Sequence, residues 1–164
     1  MIFAAFIEGQ FGEVGSSTGM SVMAHEASSH GILAGTYQYT QLPLVNAAFK
    51  LHQAKKHLLA AVCYSLGCET GCLISTPLDL LICLDPSRDG YQYRVPARVK
   101  RSILFHNNNW LSHLTGIGAA GEATDPGGDL GFQIKHEIDE NHLLVDLDPS
   151  IHQAVLSELL KLKA

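Results

Sequence analysis

Four cysteines and nine histidines give this chain its widest chemical reach. A cysteine nucleophile would draw on Cys63, Cys68 or Cys72, with a base such as His106 or His136 and an Asp or Asn to orient it. The residue types suffice for this, but no spacing singles out one trio. Cys63, Cys68, Cys72 and Cys83 lack the paired CxxC spacing of zinc sites and do not make a disulfide framework. They read as small buried thiols in a reducing compartment. His25-Glu26-Ala27-Ser28-Ser29-His30 invites a metalloprotease reading. HExxH sets its imidazoles four residues apart on one helical face, whereas these two are five apart, about 140° around a helix. A zinc site would need a bent backbone, or His52 and His57 as partners; solvated histidines explain the pattern more simply. Asp146 and Asp148, with Glu137, Asp139 and Glu140 nearby, could face a hard cation, but the Gly-centred twelve-residue loop of an EF-hand is missing. Asp79 interrupts an apolar run beside Pro77 and fits a turn. Residues 9–19 are rich in Gly and Ser, but no Gly-Lys-Ser/Thr comes after them to make a phosphate loop. The residues alone therefore predict no catalytic group, no metal and no cofactor.

The chain has 164 residues, 46% hydrophobic and 16% charged, enough for one domain with a substantial core. A net charge of −5 argues against a nucleic-acid partner. Residues 1–49 hold no Lys or Arg, while Arg88, Arg94, Arg98, Lys100 and Arg101 cluster ahead of an acid-rich C-terminal part. The two stretches read as compensating faces of one fold, with a charged partner or a second copy as the alternative. The apolar opening Met1-Ile2-Phe3-Ala4-Ala5-Phe6-Ile7 stops at Glu8 with no basic residue ahead of it. It fits neither a signal peptide nor a membrane span, so no membrane partner and a cytoplasmic location are expected.

Any chemistry has to be positioned by the elements between these residues. Residues 1–42 read as an N-terminal extension with a strand at 2–7, a short helix at 20–29 and strand-like composition at 31–40. Pro43 suits a first helical turn, and Leu44, Ala48, Leu51, Ala54, Leu58, Val62 and Ser65 recur at three- and four-residue steps. A helix of about 24 residues capped by Gly67 is predicted there. Residues 72–75 and 78–84 are strand-like, the second bounded by the turn Asp85-Pro86-Ser87-Arg88-Asp89-Gly90. Tyr91, Tyr93 and Val95 then alternate with polar residues, and Pro96 places that strand at an edge. Asn107-Asn108-Asn109 precedes an apolar stretch, Trp110, Leu111, Leu114 and Ile117, read as a second helix. Asp125-Pro126-Gly127-Gly128-Asp129 separates strand-like runs at 117–124 and 130–138, the latter with Leu130, Phe132 and Ile134 alternating. Asp148 as N-cap and Pro149 as N1 open a terminal amphipathic helix on Ile151, Val155, Leu159 and Leu162. The predicted architecture is α+β, an antiparallel sheet packed by helices in the order α-β-β-β-α-β-β-α, with residues 43–164 as its single domain. Residues 80–87 match residues 143–150 at six of eight positions, which reads as convergent strand-and-turn chemistry.

The pattern of Ser102-Ile-Leu-Phe-His-Asn-Asn, Thr115-Gly-Ile-Gly, Asp125-Pro-Gly-Gly-Asp-Leu-Gly-Phe and Leu147-Asp-Pro-Ser-Ile-His-Gln-Ala-Val-Leu resembles the class I chaperones of bacterial type III secretion. The resemblance spans residues 44–162 and is one of element order, without a diagnostic motif. It implies a homodimer without catalysis that holds a secreted effector polypeptide extended along its surface. Tyr91, Tyr93, Val95 and Phe132 are then candidates for the effector-binding surface, since an edge strand offers unpaired backbone groups. Trp110, Leu111, Leu114 and Ile117 are candidates for the dimer interface, with a monomer's core as the equal alternative. The competing reading is a small hydrolase or transferase using a Cys nucleophile or a His-rich metal site, with residues 1–42 supplying part of it.

Overall fold

Apolar runs with no polar alternation suit strands covered on both faces. Four such runs form the centre of the sheet: Ile2–Glu8 (β1), Leu58–Tyr64 (β3), Leu80–Leu84 (β4) and Ser102–Asn107 (β5). The computed structural model describes residues 1–10, 18–87, 94–107 and 131–163. With Leu33–Gln38 (β2) and Ile134–Ile138 (β6) these strands make one six-stranded sheet in the order β2-β1-β3-β4-β5-β6, and every pairing is parallel.

Side chains alternate across each strand, so the sheet builds two apolar cores. Ile2, Ala4 and Phe6 of β1, Ala60, Val62 and Tyr64 of β3, and Leu80, Ile82 and Leu84 of β4 face one side. Helices Gly19–Ser29 (α1) and Pro149–Lys161 (α4) cover them through Met20, Met23, Ala27, Ile151, Val155 and Leu159. Phe3, Ala5, Ile7, Leu59, Ala61, Cys63, Leu81 and Cys83 face the other side, beneath Leu42–Ala54 (α2) and Gly67–Leu73 (α3).

This architecture overturns the expected antiparallel α+β sheet. The predicted helix over 43–66 ends at Ala54, and Lys56 takes φ +57° in the turn after it. Leu58–Tyr64 is then a buried strand, because seven consecutive apolar residues satisfy helical steps and a doubly covered strand equally well. Residues 72–75 hold the last turn of α3 and the start of the loop beyond it, not a strand. Residues 102–107, given no element in the sequence reading, are β5, and β6 pairs parallel with β5. Residues 1–42 are no extension: β1 lies between β2 and β3 inside the sheet. The terminal helix stands as expected, with the Asp148 side chain accepting from the N–H groups of Ser150 and Ile151. The two similar octapeptides differ in form, one running through β4 and its turn, the other through a 3-10 turn (His142–Leu147) into α4.

Candidate active site

The chain runs from β1 to β2 on one side and from α2 to β3 on the other, so the strand order reverses between β1 and β3. In an open parallel sheet the crevice beyond the carboxyl ends of two such strands is where ligands bind. Gly9 comes directly after β1 at this point, and Ser65 directly after β3.

Ser65 occupies the turn between β3 and α3 at φ +52°, a left-handed conformation costly for a residue with a Cβ. Its N–H donates to the Leu84 carbonyl at 3.1 Å, which pins the turn to the next strand. Gly67 begins α3 where a Cβ would lie 2.5 Å from the Ile7 carbonyl oxygen, so only glycine lets the helix start this close to β1. Gly9 is constrained in the same way, since a Cβ there would stand 2.8 Å from the Ser65 Cβ. Strand, serine on a sharp turn, then glycine and helix have the form of the G-x-S-x-G elbow, with Cys63 in place of the first glycine.

Asp85 ends β4 as Ser65 ends β3, and it too is left-handed, at φ +41°. The partners Tyr64 and Leu84 lie side by side in the sheet, so the two turns leave it next to each other. His142 opens the 3-10 turn beyond β6. Its Nε2 lies 3.0 Å from Ser65 Oγ and its Nδ1 lies 2.6 Å from Asp85 Oδ2. Asp85 can only accept, so Nδ1 carries the proton and Nε2 is left to accept from the serine hydroxyl. All three side chains are buried. The order Ser, Asp, His along the chain is that of the hydrolase elbow template.

The surroundings hold His142 in place. The Tyr64 hydroxyl donates to the His142 carbonyl, and the Tyr64 ring stacks on the imidazole with centroids 5.2 Å apart. Burial, with Asp146 and Asp85 nearby, pushes the Tyr64 phenol well above its ordinary range, so it stays a donor. His152 on α4 approaches the Asp146 carbonyl with Nε2 at 2.7 Å and Glu26 Oε2 with Nδ1 at 3.0 Å. It thereby clamps the far end of the same 3-10 turn. Glu8, at the end of β1, receives the Ser21 hydroxyl at 3.1 Å; burial raises its carboxyl above the usual range and nearby Asp146 adds to the rise.

Of the residues singled out in sequence, the cysteines lie in the core beneath α2 and α3. All four are buried, and burial, then hydrogen bonding with Cys83, pushes Cys63 and Cys68 away from the reactive thiolate. His25, Glu26 and His30 form no metal set, and no group of three or more metal-ligating side chains occurs among the described residues. Glu26 instead faces His152, and His52 pairs with His57 through Nδ1 atoms 3.0 Å apart. Asp146 is buried and Asp148 caps α4. Phe132 is buried in the core beneath α2 and α3, and Val95 packs partly buried against it. Tyr91, Tyr93, Trp110, Leu111, Leu114 and Ile117 lie outside the described residues. The basic cluster is partly satisfied within the chain: Arg98 donates to the Ile74 and Cys72 carbonyls, and Arg101 pairs with Glu158 on α4 at 2.6 Å. Among the described residues no helix is long and apolar enough to cross a membrane.

No protein-family profile matches the sequence, and no curated protein is similar to it. Solved structures do resemble the fold. The esterase domain of a Rhodothermus marinus protein superposes with a TM-score of 0.63 at 12% identity, covering 96% of this chain and 84% of that one. A putative hydrolase of the α/β superfamily from Xanthomonas campestris pv. campestris gives 0.57 at 13% identity, covering 99% and 98%. The fold is thus that of the α/β hydrolases. With the triad geometry, these neighbours overturn the expectation of a non-catalytic homodimeric chaperone for a secreted effector, and they favour the hydrolase alternative.

Proposed function

We propose that the protein is a serine hydrolase acting on carboxylic esters. The observation that carries this reading is the relay from Ser65 Oγ to His142 Nε2 at 3.0 Å and from His142 Nδ1 to Asp85 at 2.6 Å, set on a left-handed turn between strand and helix. The esterase and hydrolase names of the structural neighbours agree with it.

In this reading Ser65 Oγ bonds to the ester carbonyl carbon as His142 Nε2 takes the hydroxyl proton. Asp85 stabilises the imidazolium and holds the ring's tautomer. Negative charge on the carbonyl oxygen meets the backbone N–H of Leu66, the residue after the nucleophile, with Gly9 close beside Ser65. The carbon–oxygen bond breaks and the alcohol leaves with the proton from His142. Water then adds to the Ser65 ester, again losing a proton to His142, and the acid departs as that proton returns to Ser65.

The test is labelling by a fluorophosphonate together with hydrolysis of p-nitrophenyl acetate. The protein is expected to gain one covalent adduct on Ser65 and to turn over the ester. Ser65→Ala should lose both, and Asp85→Asn should lose on the order of ten-thousandfold in kcat, the cost of the wrong imidazole tautomer in such triads. Undiminished turnover in Ser65→Ala would refute the reading.

A further inference from the structure

The geometry points to Asn107 as a positioning residue that fixes the triad acid and the segment carrying the triad base in one step. This rests on the serine-hydrolase reading above. Asn107 is the last residue of β5 and is fully buried. Its Nδ2 donates to Asp85 Oδ2 at 2.7 Å and to the Glu140 carbonyl at 2.7 Å. Both neighbours are acceptors, so the amide must turn its NH2 toward them. Asp85 Oδ2 is also the oxygen that His142 Nδ1 approaches. One carboxylate oxygen therefore takes an N–H from each side, and the second N–H of the same amide ties down the backbone two residues before His142.

The arrangement acts in two ways. The Asn107 donor fixes the Asp85 carboxylate in the rotamer that meets Nδ1, and it spreads the charge on Oδ2, which tempers the hold of Asp85 on the imidazolium. An aspartate at this position would keep the shape but could donate at most one hydrogen, and only while protonated, so at least one of the two ties is lost and a second carboxyl stands beside the first. Where that carboxyl ionises, its charge favours protonated His142, and protonated His142 cannot act as the base. Among the described residues, the titratable groups on this side of the site include Tyr64, stacked on the His142 ring, Cys68 beside Tyr64, and the carboxyls of Asp146, Glu8 and Glu140. All of them are retained in the variants.

The experiment measures kcat and KM for p-nitrophenyl acetate from about pH 5 to 9, on the wild-type chain and on Asn107→Asp, Asn107→Ala and Ser65→Ala. Asn107→Asp is expected to lose on the order of ten- to a hundredfold in kcat with KM nearly unchanged, by analogy with the hydrogen bonds that orient ligands in metal sites. The acid limb of its profile is expected to move up by about one pH unit. Asn107→Ala should lose a similar factor in kcat with a smaller displacement of the limb. A folded Asn107→Asp with wild-type kcat and an unmoved acid limb overturns the inference. A residue that merely supported the fold would lower the melting temperature and leave that limb in place. Should Asn107→Asp fail to fold, Asn107→Ala decides: a fall in kcat at constant KM supports the inference, and wild-type kcat overturns it. Hydrolysis persisting in Ser65→Ala would bring down the serine-hydrolase reading itself, whatever the Asn107 variants do.

Discussion

Ser65 is held at φ +52°, where an L-residue clashes with its own carbonyl and glycine does not. The strain is tied to the site, because the same turn aims Oγ at His142. Ser65→Gly should therefore unfold in urea at a stability about 1 kcal/mol above Ser65→Ala, since both lose the hydroxyl but only glycine relaxes the backbone. Equal stabilities would mean that the turn stores no strain. This residue was hidden in the sequence for two reasons. Cys63 stands where the elbow motif has its first glycine, and Ser65 continued an apparent helical stripe begun at Leu44. The remaining Ser-x-Gly after a run of apolar residues was the available signal. Asp85 was visible only as a turn former, and His142 carried no local mark. They lie 57 residues apart, and His142 lies 77 from Ser65, so only the fold brings them together.

Elements were legible where one end carried its own chemistry. Asp148-Pro149 announced α4, and the structure places the Asp148 carboxylate on the first N–H groups of that helix. Hydrogen bonds from the Ser150 side chain and from the backbone hold the Asp148 carboxyl below the usual range. A depressed folded-state pKa stabilises the fold above the ordinary carboxylate pKa and is lost as pH falls through the lowered value. Asp148→Ala should thus cost about 1 kcal/mol near neutral pH, the usual worth of an N-cap, and the gap to wild type should close in acid. Urea denaturation at the two pH values measures it; a gap that persists in acid would assign the effect to something other than the charged cap. The central strands were legible in position but not in topology. Apolar runs at 2–7 and 78–84 read as strands, whereas 58–64 was absorbed into a helix. The crossover α3 was missed because Gly67-Cys68-Glu69-Thr70-Gly71-Cys72-Leu73 is poor in helix formers. It is helical here because its glycines let it approach β1 and Cys63 closely. Without that crossover, parallel neighbours looked like hairpin partners.

The molecule as a whole has two cores of different chemistry. Cys63, Cys68, Cys72 and Cys83 all lie on the side covered by α2 and α3, and none on the side covered by α1 and α4. A thiol reagent should leave the native protein unlabelled and modify all four cysteines in denaturant, at a rate that tracks global unfolding. Rapid modification under native conditions would show that the α2–α3 layer opens by itself. The spacing of the triad also has a meaning in time. Ribosomes add about 5–20 residues per second, so the 77 residues from Ser65 to His142 represent roughly 4–15 s of synthesis. Throughout that interval, on the serine-hydrolase reading, the nascent chain carries Ser65 without the imidazole that would act as its base. On the serine-hydrolase reading, chains that stop before His142 should show no turnover of p-nitrophenyl acetate, because Ser65 and Asp85 are present without the imidazole that joins them.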